Sequence, residues 1–218
     1  MFAIIVTVVM LVKVIPSYEE MFTQLDTELP WITQFYVNLS HGIINYWFII
    51  VPIIIAIVFG IKTFAGTNAG KHFFGKIALK LPLLKTLTIK SASSMMARTL
   101  STLMGAGVPL IEAVDIVSNV MTNIYFKEAL EDAREEITIG MPLSRPLQEC
   151  GLFPPMVYQM IRIGEESGNT EAMLDKLADY YDEEVEMEVQ SLMAAMEPII
   201  IVVLAVVVGG LIAACMMP

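Results

Sequence analysis

The sequence after Pro198 constrains the fold most strongly, because charged residues stop there. Ile199 to Met217 is a run of nineteen residues without a charged side chain. A helix of about 20 apolar residues can cross the hydrocarbon core of a bilayer. The acidic sequence that ends at Glu197 leads directly into this run. We therefore expect the charged part of the chain to work against a membrane surface.

Two earlier apolar segments predict further membrane helices. Residues 1–15 are interrupted only by Thr7 and Lys13, and residues 43–61 carry no charge. The chain is 56% hydrophobic with a mean hydropathy of +0.68, which exceeds the values of an ordinary soluble domain. We predict three transmembrane helices, at 1–15, 43–61 and 198–218, of which the first is short for a complete crossing.

The distribution of basic residues predicts the orientation. The loop 16–42 contains no Lys or Arg and four acids, whereas residues 62–197 hold twelve of the thirteen basic residues. Cytoplasmic loops carry the excess of Lys and Arg. We expect the segment 62–197 and the N-terminus in the cytoplasm, and the loop 16–42 and the C-terminus outside.

Charge is also sorted within the cytoplasmic part. Residues 62–98 contain seven basic residues and no acid, and residues 99–197 contain nineteen acids and five basic residues. In 62–82, Lys71, Lys76 and Lys80 alternate with apolar residues at helical spacing, which predicts a basic amphipathic helix on an anionic lipid surface. The acidic remainder indicates protein partners and argues against nucleic acid.

Residues 83–197 are predicted to form a cytoplasmic bundle of about six helices. Helix breakers and caps divide the segment, with Pro109 starting one helix, Asn123 and Asn169 capping two others, and Gly140 and Gly151 ending two. The final helix carries an apolar stripe for the core, formed by Leu174, Leu177, Tyr181 and Val185. The predicted fold is therefore an all-α, polytopic membrane protein with three spans and one helical bundle.

The residues that could carry chemistry do not form a catalytic pattern. The two histidines, His41 and His72, are predicted on opposite sides of the membrane, and no G-x-x-x-x-G-K-[ST] phosphate loop is present. Cys150 and Cys215 are separated in the same way and are interpreted as small apolar residues. We expect no enzyme activity, no cofactor and no metal.

Two groups of acids are candidates for a partner surface. Asp175, Asp179, Asp182 and Glu186 lie along one side of the final helix, which indicates a solvated face, a docking surface for a basic partner, or a divalent cation at the Asp175/Asp179 pair. Acids are mildly unfavourable at the end of a helix, so the pair at 165–166 suggests a specific partner. The predicted partner surface contains Glu165, Glu166, Asp175 and Asp179.

Small residues recur every four positions in the third predicted span. Ala205, Gly209 and Ala213 would lie on one side of this helix. Small residues at this spacing let two helices approach closely in lipid. We predict an intramembrane helix contact there, which is consistent with a homo-oligomer. The alternative is that these small residues occur at this spacing without any role in packing.

Several motifs occur in a fixed order along the chain. They are Leu103-Met104-Gly105-Ala106-Gly107-Val108-Pro109-Leu110, Gly140-Met141-Pro142-Leu143, Phe153-Pro154, Ile163-Gly164-Glu165-Glu166-Ser167-Gly168, Leu177-Ala178-Asp179-Tyr180-Tyr181 and Glu197-Pro198. Together they resemble the inner-membrane platform proteins of type IV pili and type II secretion, the PilC/GspF family.

The resemblance implies a bacterial inner-membrane anchor without enzyme activity. Its partners would be a cytoplasmic hexameric assembly ATPase, pilin or pseudopilin subunits, other inner-membrane assembly proteins and further copies of the chain. Family members usually have two homologous cytoplasmic domains, and this chain resembles the C-terminal half. Whether the machine is a pilus, a secretion system or a DNA-uptake apparatus stays open.

Two other function classes are less well supported by the residues. A small membrane transporter subunit would carry ionisable residues in mid-membrane, and the predicted spans have none there. A membrane-bound enzyme would need a nucleophile with its base or a metal cluster, and the sequence shows no pattern of either kind.

Overall fold

The computed structural model describes residues 55–216 and, before them, Tyr46, Phe48, Ile49, Pro52 and Ile53. All regular secondary structure in the described residues is helical, and short turns connect the helices. The predicted span at 1–15 and the predicted loop at 16–42 lie outside the described residues. The chain divides into two compact units, one of residues 63–193 and one of the residues on either side of it.

Eight helices follow one another in the continuous stretch. They are α1 (Ile55–Gly66), α2 (Asn68–Lys80), α3 (Pro82–Gly105), α4 (Leu110–Val120), α5 (Ile124–Thr138), α6 (Ser144–Glu149), α7 (Pro155–Ser167) and α8 (Thr170–Met216).

Local signals in the sequence account for most helix ends. Asn123 caps α5, because its side-chain oxygen accepts a hydrogen bond from the backbone N–H of Tyr125 at 3.0 Å. Gly168 ends α7 with φ 69°, a left-handed conformation that glycine adopts without a steric penalty. The helix limits predicted at Asn123, Gly140, Gly151 and Asn169 are confirmed to within two residues. Pro109, predicted to start a helix, is the residue immediately before α4.

The core of the 63–193 unit lies where the helices from α3 to α8 meet. Phe126 and Phe153 pack edge to face at its centre, with ring centroids 5.1 Å apart. Three members of the predicted α8 stripe, Leu174, Leu177 and Tyr181, are buried in this core, which confirms the helical period of the stripe. The fourth, Val185, is half-buried.

Helix α2 belongs to the same compact unit. It packs against α3 and α5, and the Asn123 amide donates a hydrogen bond to the carbonyl of Gly75 at 3.2 Å. A Cβ atom on Gly75 would lie 2.9 Å from the Asn123 Oδ1 atom, so side chains of the α5 start pack directly against the Gly75 backbone. Residues 68–80 of the basic segment predicted at 62–82 are therefore packed against α3 and α5.

One helix of the described residues is long and apolar enough to cross a membrane, by length and composition. This helix is α8, which continues through Pro198 without a break. None of its apolar window is buried by other described residues. Helix α1 is apolar but shorter. The predicted span at 43–61 is only partly described, and the predicted span at 198–218 coincides with the end of α8.

Candidate functional surfaces

Arg98 of α3 lies opposite three aspartates of α8. Its guanidinium is 3.0 Å from the Asp175 Oδ1 atom, 2.5 Å from the Asp179 Oδ1 atom and 2.7 Å from the Asp182 Oδ2 atom. These acids recur at spacings of four and three residues and therefore share one side of the helix. We call Arg98, Asp175, Asp179 and Asp182 the Arg98 cluster.

The contact between α3 and α8 extends to both sides of the Arg98 cluster. The hydroxyl of Ser94 donates a short hydrogen bond to Asp182. One turn further along, Lys90 is 2.6 Å from carboxylate oxygens of both Glu184 and Glu188. Hydrogen bonds to these two glutamates raise the pKa of Lys90. Polar contacts therefore join about four turns of α8 to α3.

The protonation of Asp182 reflects two opposing effects. Desolvation by burial acts to raise the pKa of this carboxyl, whereas the hydrogen bonds from Ser94 and Arg98 act to lower it. The hydrogen bonds and the Arg98 charge together prevail, and the pKa of Asp182 lies below its ordinary value.

The Arg98 cluster changes the interpretation of the acidic stripe. The cation that faces Asp175 and Asp179 is a guanidinium of the same chain, which sequence periodicity in α8 alone did not reveal, because Arg98 precedes Asp175 by 77 residues. Both carboxylates still expose more than half of their side-chain surface. They can therefore accept further hydrogen bonds from a partner.

The two glutamates predicted at the end of α7 differ in their surroundings. Glu165 is half-buried, and its Oε1 atom accepts a hydrogen bond from the backbone N–H of Leu143 at 2.6 Å. Its Oε2 atom accepts from the hydroxyl of Ser144 at 2.6 Å. Glu166 is exposed. Glu165 is thus held inside the unit, and Glu166 is the member of the pair that faces outward.

An open cleft of about 770 Å³ lies beside the contact between α6 and the end of α7. Its walls carry both positive and negative side chains. Arg145 forms an ion pair with Glu149 at 3.0 Å, and Arg162 donates a hydrogen bond to the side-chain oxygen of Gln148 at 2.5 Å. The cleft is lined by Pro142, Ser144, Arg145, Gln148, Glu149, Arg162, Glu165 and Glu166. Two of the four residues of the predicted partner surface, Glu165 and Glu166, therefore line one depression.

Helix α2 presents a second surface of different character. Phe73 and Phe74 are 56% and 40% exposed, and both rings contact Phe64 edge to face at 6.4 Å. The side toward α5 carries His72, which is 3.2 Å from Glu128. The three predicted lysines are exposed, and no ion pair joins them to another described residue: Lys71, Lys76 and Lys80.

The predicted intramembrane contact lies in the apolar part of α8. Ala205 and Gly209 are exposed. A Cβ atom on Gly209 would have no described atom within 4 Å. The side chain of Ala213 lies outside the described residues. No described residue covers this side of α8 at Gly209. The helix contact through the small-residue stripe stays a prediction.

Comparisons with known proteins fit this architecture. The protein-family model described as "Type II secretion system (T2SS), protein F" matches residues 96–218. The type IV pilus assembly protein PilC of Pseudomonas aeruginosa is 41% identical over 217 residues, which cover 99% of this chain and 58% of that protein. The PilC of Thermus thermophilus is 35% identical over 218 residues, covering 100% and 54%.

A secretion protein is similar at a lower level. The type II secretion system protein F of Aeromonas hydrophila is 29% identical over 212 residues, which cover 96% of this chain and 54% of that protein. The chain thus spans about half the length of the curated relatives it matches. The family resemblance drawn from the motifs is confirmed by these matches.

Proposed function

Because the chain belongs to the type II secretion system protein F family, we propose that it serves as an inner-membrane platform in the assembly of a type IV pilus or a type II secretion pseudopilus. The observation that carries this proposal is the continuity of α8. This helix contributes Thr170–Met193 to the acidic helical unit and continues into the apolar segment after Pro198. An anchor that transmits force needs such a connection.

The polar contacts of α3 support a mechanical role for α8. The Arg98 cluster and the Lys90 pairs hold the first half of α8 on the bundle. A displacement imposed on the bundle by a motor would therefore be passed to α8. The chain would thus transmit force and would carry out no catalysis.

The proposed topology follows the distribution of charge. The chain would cross the bacterial inner membrane three times, with the N-terminus and the 63–193 unit in the cytoplasm and the C-terminus outside. The basic helix α2, with exposed lysines and phenylalanines, suits the cytoplasmic headgroup region next to the membrane.

The proposed partners are a cytoplasmic hexameric assembly ATPase, pilin or pseudopilin subunits, other inner-membrane assembly proteins and a second copy of the chain. Glu166 and the cleft between α6 and α7 would form one docking surface for the ATPase. Asp175 and Asp179 would extend it, since both remain more than half exposed beside Arg98.

A charge reversal at Glu166 tests the proposed surface. In a host that lacks its own copy of the protein, Glu166→Lys should abolish pilus or pseudopilus assembly and reduce capture of the ATPase. The amount of the Glu166→Lys variant in the membrane should equal that of the wild-type chain. The matched control is Asp132→Lys, which makes the same charge change at an exposed position of α5.

The outcomes separate the role from the site. Normal assembly with Glu166→Lys would contradict the proposed docking surface while leaving the platform role intact. Normal assembly in the host that lacks the protein altogether would contradict the platform role. Equal defects with Glu166→Lys and Asp132→Lys would indicate a general effect of added positive charge and would also contradict the surface.

A further inference from the structure

A groove of about 450 Å³ runs between α2, α3 and the connection from α4 to α5. Its volume lies within the range of about 300–1,000 Å³ that is usual for small-ligand sites. Most of its lining is apolar or carries a hydroxyl group, and Lys71 is the one charged residue among the described residues that line it. The lining consists of Ala65, Lys71, Phe74, Gly75, Ala78, Leu87, Thr88, Ser91, Ala92, Met95, Met121, Thr122 and Asn123.

Small side chains on the facing sides of two helices create this groove. Gly75 and Ala78 of α2 lie opposite Ser91 and Ala92 of α3. The Asn123 hydrogen bond to Gly75 fixes α2 beside α5 and so holds one side of the groove in place. Phe74 and Met95 form walls that remain 40% and 38% exposed. The groove is thus an apolar slot that the described residues leave open.

The charge around the groove selects the kind of occupant. Residues 62–98 contain seven basic residues and no acid, although the whole chain has a net charge of −10. Lys90 and Arg98 are paired with acids of α8, whereas the lysines of α2 make no ion pair with another described residue. Next to the groove, α2 exposes Phe73 and Ile77 together with its lysines. Exposed aromatic rings and lysines on one helix are typical of a segment that lies in the headgroup region of a bilayer. An occupant with an apolar chain and a negative headgroup satisfies both features.

We propose that this groove binds one anionic phospholipid of the surrounding membrane, with part of an acyl chain in the apolar slot and the phosphate at Lys71. Such a lipid would fix α2 to the membrane at a defined point and would join the 63–193 unit to the bilayer independently of α8. This inference goes beyond the platform role and requires only that the chain resides in a membrane.

Native mass spectrometry of the full chain, purified in a neutral detergent, tests this inference. The protein is titrated with phosphatidylglycerol and, separately, with phosphatidylcholine of the same acyl chains. We expect one phosphatidylglycerol to bind in preference to phosphatidylcholine. Lys71→Gln should weaken that binding about fivefold, which corresponds to the roughly 1 kcal/mol contributed by one basic residue near an anionic surface.

A matched lysine on the same helix provides the control. Lys80 is exposed and does not line the groove, so Lys80→Gln should leave the affinity within about twofold of the wild-type value. Ala78→Leu should fill the slot and remove the bound lipid. If Ala78→Leu does not fold, Ser91→Leu fills the slot from an exposed position.

Each other result would overturn the proposal. Equal losses with Lys71→Gln and Lys80→Gln would mean diffuse attraction to the surface. Equal binding of both lipids would remove the role of the negative headgroup, and unchanged binding in the folded slot-filling variant would place the lipid elsewhere. Absence of a retained lipid would also refute it. Because the readout is a lipid count, failure here is distinct from failure of the platform role.

Discussion

Glu165 of α7 caps the first turn of α6 through Ser144. The Glu165 Oε2 atom accepts a hydrogen bond from the Ser144 hydroxyl at 2.6 Å and from the Ser144 backbone N–H at 3.3 Å. The first N–H groups of a helix have no partner within it, and a carboxylate there also interacts favourably with the helix dipole. Because α6 has only six residues, it depends on such contacts from neighbouring elements.

This cap leads to a prediction about stability. Glu165→Ala should lower the free energy of unfolding by about 1–2 kcal/mol, the upper part of the range for the loss of a capping side chain. Glu166→Ala should change it by less than about 0.5 kcal/mol, because Glu166 is exposed. Denaturant unfolding of the purified full chain measures both values. Equal destabilisation by the two substitutions would argue against the capping role.

The Arg98 cluster predicts a specific response to acid. The pKa of Asp182 is lower in the folded chain than its ordinary value of 3.8, so the unfolded chain takes up the proton first. The resulting stabilisation is complete above that ordinary value and is lost as the pH falls through the lower pKa of the folded state. Because the side chain is half-exposed, solvent reduces the size of the effect.

The measurement is the unfolding free energy between about pH 6 and pH 2 for the wild-type chain and Asp182→Asn. The variant should lose less stability than the wild-type chain at the acidic end. Glu183→Gln, an exposed neighbour, should follow the wild-type curve. Superimposable curves for wild type and Asp182→Asn would show that the Asp182 carboxylate does not stabilise the fold.

The close approach of α2 to α5 predicts a penalty for any side chain at Gly75. In Gly75→Ala the new methyl group would meet Asn123 at 2.9 Å and the Ile124 side chain at 3.3 Å. Either the Asn123 side chain would have to give up its hydrogen bonds to Gly75 and Tyr125 or α2 would have to shift, which should cost about 1–3 kcal/mol, as overpacking usually does. Thermal unfolding should show a lower midpoint for this variant.

Gly66→Ala is the matched control for this substitution. A Cβ atom on Gly66 would meet nothing within 4 Å, and alanine is favoured over glycine in a helix. Its midpoint should therefore equal or exceed that of the wild-type chain. A Gly75→Ala midpoint at or above the wild-type value would contradict the close approach.

The helices were predictable from the sequence because their limits depend on local chemistry. Asn123 and Gly140 act on the residues next to them, and α5 begins and ends where these two residues indicated. The pairing between elements was not predictable in the same way. A carboxylate on α8 has the same periodicity whether it faces solvent or Arg98, and Glu165 shows no sequence signal for its bond to Ser144. Those partners are decided by tertiary packing.

The small-residue stripe of α8 predicts self-association in the membrane. A substitution at Gly209 meets no described atom within 4 Å, so Ala205→Leu combined with Gly209→Leu should act chiefly between copies of the chain. Energy transfer between labelled copies in liposomes should fall to the level of a monomeric control. Ile200 lies roughly opposite the stripe at 3.6 residues per turn, so Ile200→Phe should preserve the transfer. Unchanged transfer in the double variant would refute the contact, because two leucines would separate helices that touch there.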